Sequence, residues 1–343
     1  MSLRAKHTLP FIFLFLLLCL CFLLNIGLGS VEIPLSDIWN SLFDSETQEG
    51  NTAYIVRHYR LPKALTAILV GAGLSLSGLL MQTLFRNPLA GPFVLGISSG
   101  ASLGAAILLM GGALLGGTAS YFLYGDVALT VAASLGSFLV LAVVVYVASK
   151  VRDTLALLII GLMFGSLTAA LVSILSYFAD SEELQRFIFW TFGSVGNLSW
   201  PQVGILGICV SLGIFISIGM IKTLNSFLLG EQYAISMGVS IPRSRFWIIA
   251  ATGILAGAVT AFAGPIAFIG LAVPHLCRQL FASTDHRVLV PAVLLYGPIL
   301  LLLCDTVAQM PSSAYVLPIN AITSLVGAPI VIWLLVRKRK MIF

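Results

Sequence analysis

The chain has 343 residues, of which 59% are hydrophobic and only 9% are charged, and its mean hydropathy is +1.06. Ordinary globular domains carry about 25% charged residues. This composition excludes a single soluble domain and predicts an all-α membrane protein that crosses the bilayer many times.

The first apolar run follows a short basic N-terminus. Arg4 and Lys6 precede an apolar stretch at 11–28, a pattern that a signal peptide shares with a first membrane helix. The run is close to the roughly 20 residues that a spanning helix needs, and no cleavage site of the Ala-x-Ala type follows it. We therefore predict that it is retained as the first span.

Ten apolar segments predict about ten transmembrane helices in one membrane domain that covers 1–343. They lie at about 11–28, 64–84, 94–116, 127–148, 155–178, 203–221, 246–263, 266–281, 288–308 and 319–336. The eighth segment is short, and only Ala-Gly-Pro at 263–265 separates it from the seventh. The stretches 29–63 and 179–202 are predicted to be connectors, and the second is expected to contain a short interfacial helix.

The distribution of Lys and Arg predicts the orientation of the spans. When the N-terminus is placed in the cytoplasm and the spans alternate, only Arg57, Arg60, Lys63 and Arg186 of the 18 basic residues fall outside. Ten spans return the C-terminus to the cytoplasm. The basic run at 337–340 is therefore predicted to anchor the topology and not to bind nucleic acid.

The sequence offers no convincing motif for enzyme chemistry. It has no H-E-x-x-H and no Walker A motif, and the serines of GISSG at 96–100 have no plausible His and Asp partners. We therefore predict no catalytic residue and no metal site, and any ATP hydrolysis belongs to another chain. The five cysteines lie in apolar context without C-x-x-C, which favours packing over disulfides. Asp305 is the exception to a nearly charge-free membrane interior, which counts against a proton-coupled carrier but leaves a sodium-coupled one open.

The segment 85–104, FRNPLAGPFVLGISSGASLG, interrupts the apolar pattern. Pro88 disfavours helical geometry at Asn87, so we predict that the chain breaks there.

Ala-Gly-Pro recurs after the second and the seventh span, a faint sign of repeated halves. Small residues line several spans and are compatible with close helix packing or with a transport pathway; examples are Gly71, Gly161, Gly253 and Gly257.

Three regions resemble the FecCD-type permeases, which are the membrane subunits of ABC importers for iron–siderophores, haem and cobalamin. The first is RLPKALTAILVGAGLSLSGLLMQTLFRNPLAGPFVLGISSGASLG at 60–104. The second, LGEQYAISMGV at 229–239, resembles their cytoplasmic coupling segment. The third joins AGPIAFIGLAVPHLCRQLFASTDHRVLVPAVLLYGPILLLLCDTVAQM at 263–310 to INAITSLVGAPIVIWLL at 319–335. The similarity is collinear and covers most of the chain from residue 57 onward.

The resemblance implies a type II ABC importer permease in a bacterial inner membrane, working as a homodimer with a translocation path at its two-fold axis. It implies two ATPase subunits, which hold ATP and Mg²⁺ on the cytoplasmic side, and a substrate-binding protein outside. No cofactor is expected in this chain itself.

The resemblance also assigns roles by position. The cytoplasmic gate or pathway is expected at Asn87, Pro88, Leu89, Ala90, Thr154 and Leu155. Coupling to the ATPase is expected at Leu229, Gly230, Glu231, Ala234 and Gly238, within a coupling loop at about 229–245. Docking of the binding protein is expected at Arg60, Lys63 and Gln309.

Two departures from the family pattern concern the outer face. The family's D-x-x-A-R is DTVAQ here, so that Gln309 replaces an Arg, and its E-L-P-x-G is VLPIN, with Val316 and Asn320.

The resemblance predicts import of an iron–siderophore or haem, with cobalamin as the alternative. A secondary carrier driven by an ion gradient is the rival from a different class, and it would transport without any ATPase.

Overall fold

In the computed structural model, residues 3–29, 33–43, 50–111, 126–151, 154–310 and 315–336 are described, and within them the chain is helical without a β-strand. The elements are α1 (Leu3–Gly27), α2 (Leu35–Phe43), α3 (Asn51–Ile55), a π-helical turn (Val56–Arg60), α4 (Leu61–Leu84), a 3₁₀ turn (Pro92–Leu95), α5 (Ile97–Met110), α6 (Asp126–Lys150), α7 (Thr154–Phe178), α8 (Ser181–Thr191), α9 (Trp200–Gly219), α10 (Ile221–Leu228), α11 (Glu231–Ser236), α12 (Ile241–Ala263), α13 (Ile269–Phe281), α14 (His286–Ala308) and α15 (Ile319–Val336).

Each of the ten predicted spans coincides with a helix. Within the described ranges, seven helical segments are long and apolar enough to cross a membrane: α1, the continuous helix Asn51–Leu84, α6, α7, α9, α12 and α14. The other three predicted spans correspond to α5, α13 and α15, which are too short or too polar to count by the same measure. These uniformly apolar helices fit a lipid environment, because a soluble helix keeps one polar face.

Two compact units can be distinguished, and α4 and α9 belong partly to each. The first unit contains the described residues up to Leu76, Ser194–Ile208 and the residues from Ile266 onward. In it, α14 packs against α1, α13 and α15. The second unit contains Ser77–Gly193 and Cys209–Pro265 as far as they are described, and in it α5 packs against α6, α7 and α12.

The two Ala-Gly-Pro sequences both precede a short helix. After α4, the chain forms the 3₁₀ turn and a left-handed Gly96 (φ 75°) before the 14 residues of α5. After α12, it passes through Gly264 (φ 73°) and a left-handed Phe268 (φ 66°) before the 13 residues of α13. These irregular entries delay the start of each helix by three residues relative to the predicted spans, which begin at 94 and 266.

The two predicted connectors are more helical than the sequence suggested. The first contains α2, α3 and the π-helical turn, so that the helix leading into the second span begins at Asn51. In the second, α8 covers Ser181–Thr191 and the remaining glycine-rich part is irregular. Gly193 adopts φ 71°, a conformation that glycine takes without a steric penalty and that ends the helix there.

The small residues of the spans serve helix packing. A Cβ atom added to Gly71 on α4 would lie 2.6 Å from the carbonyl oxygen of Gly297 on α14, so the two backbones touch at this point. In the second unit, Gly161 approaches the backbone at Val94, and Gly253 lies against the side chain of Leu141. Of the two interpretations of these glycines, the contacts favour close packing.

We expect Gly71→Ala to destabilise the protein. Alanine favours a helix over glycine by about 1 kcal/mol, but the new methyl group would overlap the α14 backbone, and overpacking costs roughly 1–3 kcal/mol. Thermal unfolding in detergent should therefore show a lower midpoint for this variant. Gly204→Ala on α9 is the matched control, because nothing lies within 4 Å of its added Cβ; an equal loss in both variants would contradict the packing argument.

Candidate functional site

The predicted gate begins where α4 ends. The amide of Asn87 donates to the carbonyl of Gln82 (3.1 Å), and the amide of Arg86 donates to that of Thr83 (3.3 Å). These two bonds form a Schellman motif, in which Arg86 (φ 46°) takes the left-handed position that glycine usually occupies. The helix therefore stops at Leu84, just before the proline that predicts the break.

Asn87 shapes the loop that follows. Its side-chain oxygen accepts a hydrogen bond from the amide of Leu89 (2.9 Å), and its carbonyl accepts one from the amide of Ala90 (3.1 Å). Pro88 and Ala90 are buried, whereas the side chain of Leu89 is 46% exposed. The loop thus presents one apolar side chain from a backbone that its own Asn holds in shape.

The second part of the predicted gate is the start of α7. Thr154 and Leu155 are the first residues of that helix, but their side chains lie outside the described part of the structure. They follow Val151, which comes directly after α6 and whose amide donates to the carbonyl of Val147 (2.9 Å).

The predicted coupling segment forms a short helix, α11, between two glycines. Gly230 precedes it with φ 107° and ψ 153°, a region that is accessible essentially to glycine alone. Gly238 follows it with φ 82° and closes a second Schellman motif, in which the amides of Gly238 and Val239 donate to the carbonyls of Ile235 (2.9 Å) and Ala234 (3.0 Å). Both ends of the helix are therefore fixed by residues that tolerate positive φ.

One face of α11 is buried and the other is exposed. Ala234 is fully buried, and α11 packs against α10 and α12. Around it, Tyr233 and Ile235 are 69% and 59% exposed, and Leu229 and Met237 are similarly open. We call these four exposed side chains the coupling face. Several exposed apolar side chains on one short segment are typical of a protein interaction site.

Glu231, the first residue of α11, forms an ion pair with Arg245 on α12. The guanidinium Nη2 lies 2.7 Å from the Glu231 carboxylate, and the Arg245 side chain is only 6% exposed. The other terminal nitrogen of Arg245 lies 3.4 Å from the carbonyl oxygen of Val151. A Cβ added to Gly230 would be 3.6 Å from the Arg86 guanidinium. The coupling segment therefore also lies beside the loop at 86–90, which we call the gate loop. Sequence reasoning missed Arg245 and Val151 because no motif marks them.

The predicted docking residues belong to a separate polar cluster around Asp305. Lys63 Nζ lies 3.3 Å from one oxygen of this buried carboxylate, and the amides of Asn25 and Gln309 donate to the other oxygen at 2.8 and 2.7 Å. Arg60 donates to the carbonyls of Ile26 and Gly27 at the end of α1. The three residues therefore join α1, α4 and α14, and docking of a binding protein through them stays a prediction.

The comparisons with known proteins decide the family. The sequence profile described as the FecCD transport family matches residues 17–337. The chain belongs to the FecCD transport family. It is a permease subunit of an ABC importer of this family and a multi-pass protein of the bacterial inner membrane.

Relatives support the family assignment over most of the chain. The vitamin B12 import system permease protein of Shigella boydii is 37% identical over 304 residues, which are 88% of this chain and 89% of that protein. The corresponding protein of Klebsiella pneumoniae is 38% identical over 282 residues, 82% of each chain.

Solved structures support the fold of this FecCD chain. An inward-facing metal-chelate type ABC transporter matches with a TM-score of 0.82 and 31% identity, over 96% of this chain and 99% of that one. A match with PsaBC from Streptococcus pneumoniae has a TM-score of 0.51 and 14% identity, over 88% and 95% of the two chains, and shows the fold alone. The predicted type II importer fold is thereby confirmed.

We expect loss of the Asp305 charge to destabilise this FecCD permease. Asp305→Leu would leave the ammonium of Lys63 in a largely buried position without its partner, which costs about 3 kcal/mol for a buried pair. The thermal midpoint in detergent should fall, and Lys63→Met in the same chain should recover part of the loss.

The control for this prediction is an exposed pair on α8. Arg186 and Glu182 are 2.7 Å apart with both side chains in solvent, and such pairs contribute about 0–1 kcal/mol. Glu182→Gln should therefore leave the midpoint nearly unchanged. An equally small effect of Asp305→Leu would show that the cluster does not stabilise the fold.

Proposed function

We propose that this chain works as a homodimer that imports a metal chelate, driven by two ATPase subunits bound at the coupling face and supplied by a substrate-binding protein outside. The observation that carries the proposal is the coupling face itself. It is an exposed apolar surface on a helix that two glycines and the buried Ala234 fix to the permease, at the end that the charge pattern assigns to the cytoplasm.

The gate loop supports the same proposal. Asn87 holds the loop in shape while Leu89 projects from it, and the loop contacts the coupling segment through Arg86 and Gly230. Irregular backbone at membrane depth is tolerated where it is buried in protein or lines a cavity. We propose that Leu89 and its equivalent in the second copy narrow the cytoplasmic end of the translocation path.

The relatives change the order in which substrates are tested. Those reported above are named for vitamin B12 import, and the similar solved structure is a metal-chelate type transporter. We therefore propose cobalamin as the first substrate to test, and iron–siderophores and haem as the next. All three are bulky metal complexes, so the mechanism proposed for the permease is the same for each.

Uptake into proteoliposomes tests this function. The permease is reconstituted with the ATPase and binding protein of its own importer and offered cyanocobalamin, a ferric siderophore and haem in turn, with and without ATP. We expect uptake of one of them that requires ATP and the binding protein. Uptake that an ion gradient drives without the ATPase would favour the secondary carrier and contradict the proposal.

Substitution of the coupling face should abolish uptake by releasing the ATPase. Ile235→Asp places a charge in the middle of an apolar contact, and losses at such central positions commonly exceed about 2 kcal/mol, or roughly 30-fold in affinity. Co-purification of the ATPase measures the effect directly. Ile188→Asp on α8 is the matched control, since Ile188 is exposed to a comparable degree; release of the ATPase by both variants or by neither would count against this docking site.

Leu89 should approach its equivalent in the second copy. In a variant whose five native cysteines are replaced, Leu89→Cys should form a disulfide between the two subunits, with a yield that depends on the nucleotide bound to the ATPase. Ile188→Cys, with 42% exposure against 46% for Leu89, controls for nonspecific oxidation. A yield no higher than the control in every nucleotide state would place Leu89 away from the dimer axis.

A further inference from the structure

The ion pair between Glu231 and Arg245 joins the coupling segment to α12. Glu231 opens α11, and Arg245 lies in the first turn of α12, 14 residues later. Arg245 is almost fully buried, whereas Glu231 is partly exposed at 39%. The buried Arg245 therefore anchors the more exposed Glu231, so a shift of α11 is transmitted to the guanidinium through the ion pair.

The second contact of Arg245 leads to the end of α6. Val151 follows the last residue of that helix, and its carbonyl is one of those that a helix leaves without an intrahelical partner at its C-terminus. The partial negative charge of a helix C-terminus attracts a cation, so the guanidinium is favourably placed there although the bond to Val151 is long at 3.4 Å. A planar guanidinium can hold a carboxylate and a carbonyl at the same time, which an ammonium does less well.

The gate loop is reached by a different route. Arg86 lies beside Gly230. A displacement of the coupling segment therefore reaches the loop that carries Leu89 directly from the backbone at Gly230, without involving Arg245. The coupling segment thus lies beside the loop at 86–90 at Gly230, and Arg245 connects it to Val151.

The geometry points to Arg245 as a positioning residue that transmits movement of the coupling helix to the end of α6 at Val151. Glu231 then acts inside the permease as the link between α11 and Arg245, in addition to belonging to the segment that meets the ATPase. This inference rests on the proposed function, because it assigns a route to the movement that ATP binding is proposed to cause.

The test compares two fluorescent probes in the assembled complex with its ATPase. One probe is attached to Val151→Cys, which keeps the backbone carbonyl, and the other to Leu89→Cys, both in a variant without native cysteines. Adding ATP should change the emission at both positions when residues 231 and 245 are native. No change at either position would overturn the proposed function together with the inference.

Glu231→Gln and Arg245→Gln should separate the two routes. We expect each to reduce the ATP-dependent change at position 151 at least fivefold, while the change at position 89 keeps more than half of its size. An undiminished response at 151, or an equal loss at both positions, would overturn the inference and leave the proposed function standing. Glu231→Gln is decisive if the buried Arg245→Gln variant fails to fold.

Exchange of the two charges distinguishes transmission from simple anchoring. Glu231→Arg combined with Arg245→Glu restores the ion pair, but it turns a carboxylate toward the Val151 carbonyl. If Arg245 acts through Val151, the response at 151 stays low in this double variant even though the ATPase still co-purifies with it. Full recovery of the response at 151 would show that the ion pair only anchors α11.

Discussion

A bilayer offers no water to a polar group, so each polar group within it must find its partner inside the protein. The described part of this permease meets that constraint at the break after α4. The Schellman motif there satisfies a backbone carbonyl through the amide of Asn87, and the Asn87 side chain satisfies the amide of Leu89. This irregular segment, on which transport is proposed to depend, is therefore compatible with membrane depth because its hydrogen bonds are made locally.

The same constraint explains the composition of the cluster around Asp305. Its carboxylate faces one ammonium, from Lys63, and two neutral amides, while Arg60 faces the carbonyls at the end of α1. An Arg at position 309, as in the family pattern, would add a second positive charge beside a single carboxylate. Gln309 keeps an N–H donor within hydrogen-bond distance of the carboxylate and adds no charge, so that one carboxylate still faces one ammonium. This arrangement avoids the cost of an uncompensated charge in a buried position.

The sequence predicts those features that depend on neighbouring residues. Hydropathy located ten helices, seven of which are long and apolar enough to cross a membrane within the described ranges, and Pro88 located the break after α4. Both signals act within a few residues. Contacts between distant residues left no such signal. Arg245 meets Val151 across 94 residues and Asn25 meets Asp305 across 280, and neither residue of the first pair belongs to a motif. The resemblance placed Lys63 and Gln309 on the outer face, but their contacts with Asp305 required the three-dimensional arrangement.

The two glycines with positive φ that flank α11 also define a boundary of the segment. Because Gly230 and Gly238 set the direction of the chain at each end, the residues between them can vary in sequence without altering where the flanking helices begin. A segment bounded in this way is a natural unit for grafting between permeases. If the ATPase docks at the coupling face as proposed, chimaeras that exchange 231–237 and retain both glycines, Ala234 and the Glu231 carboxylate should recruit a different ATPase while keeping the permease body intact.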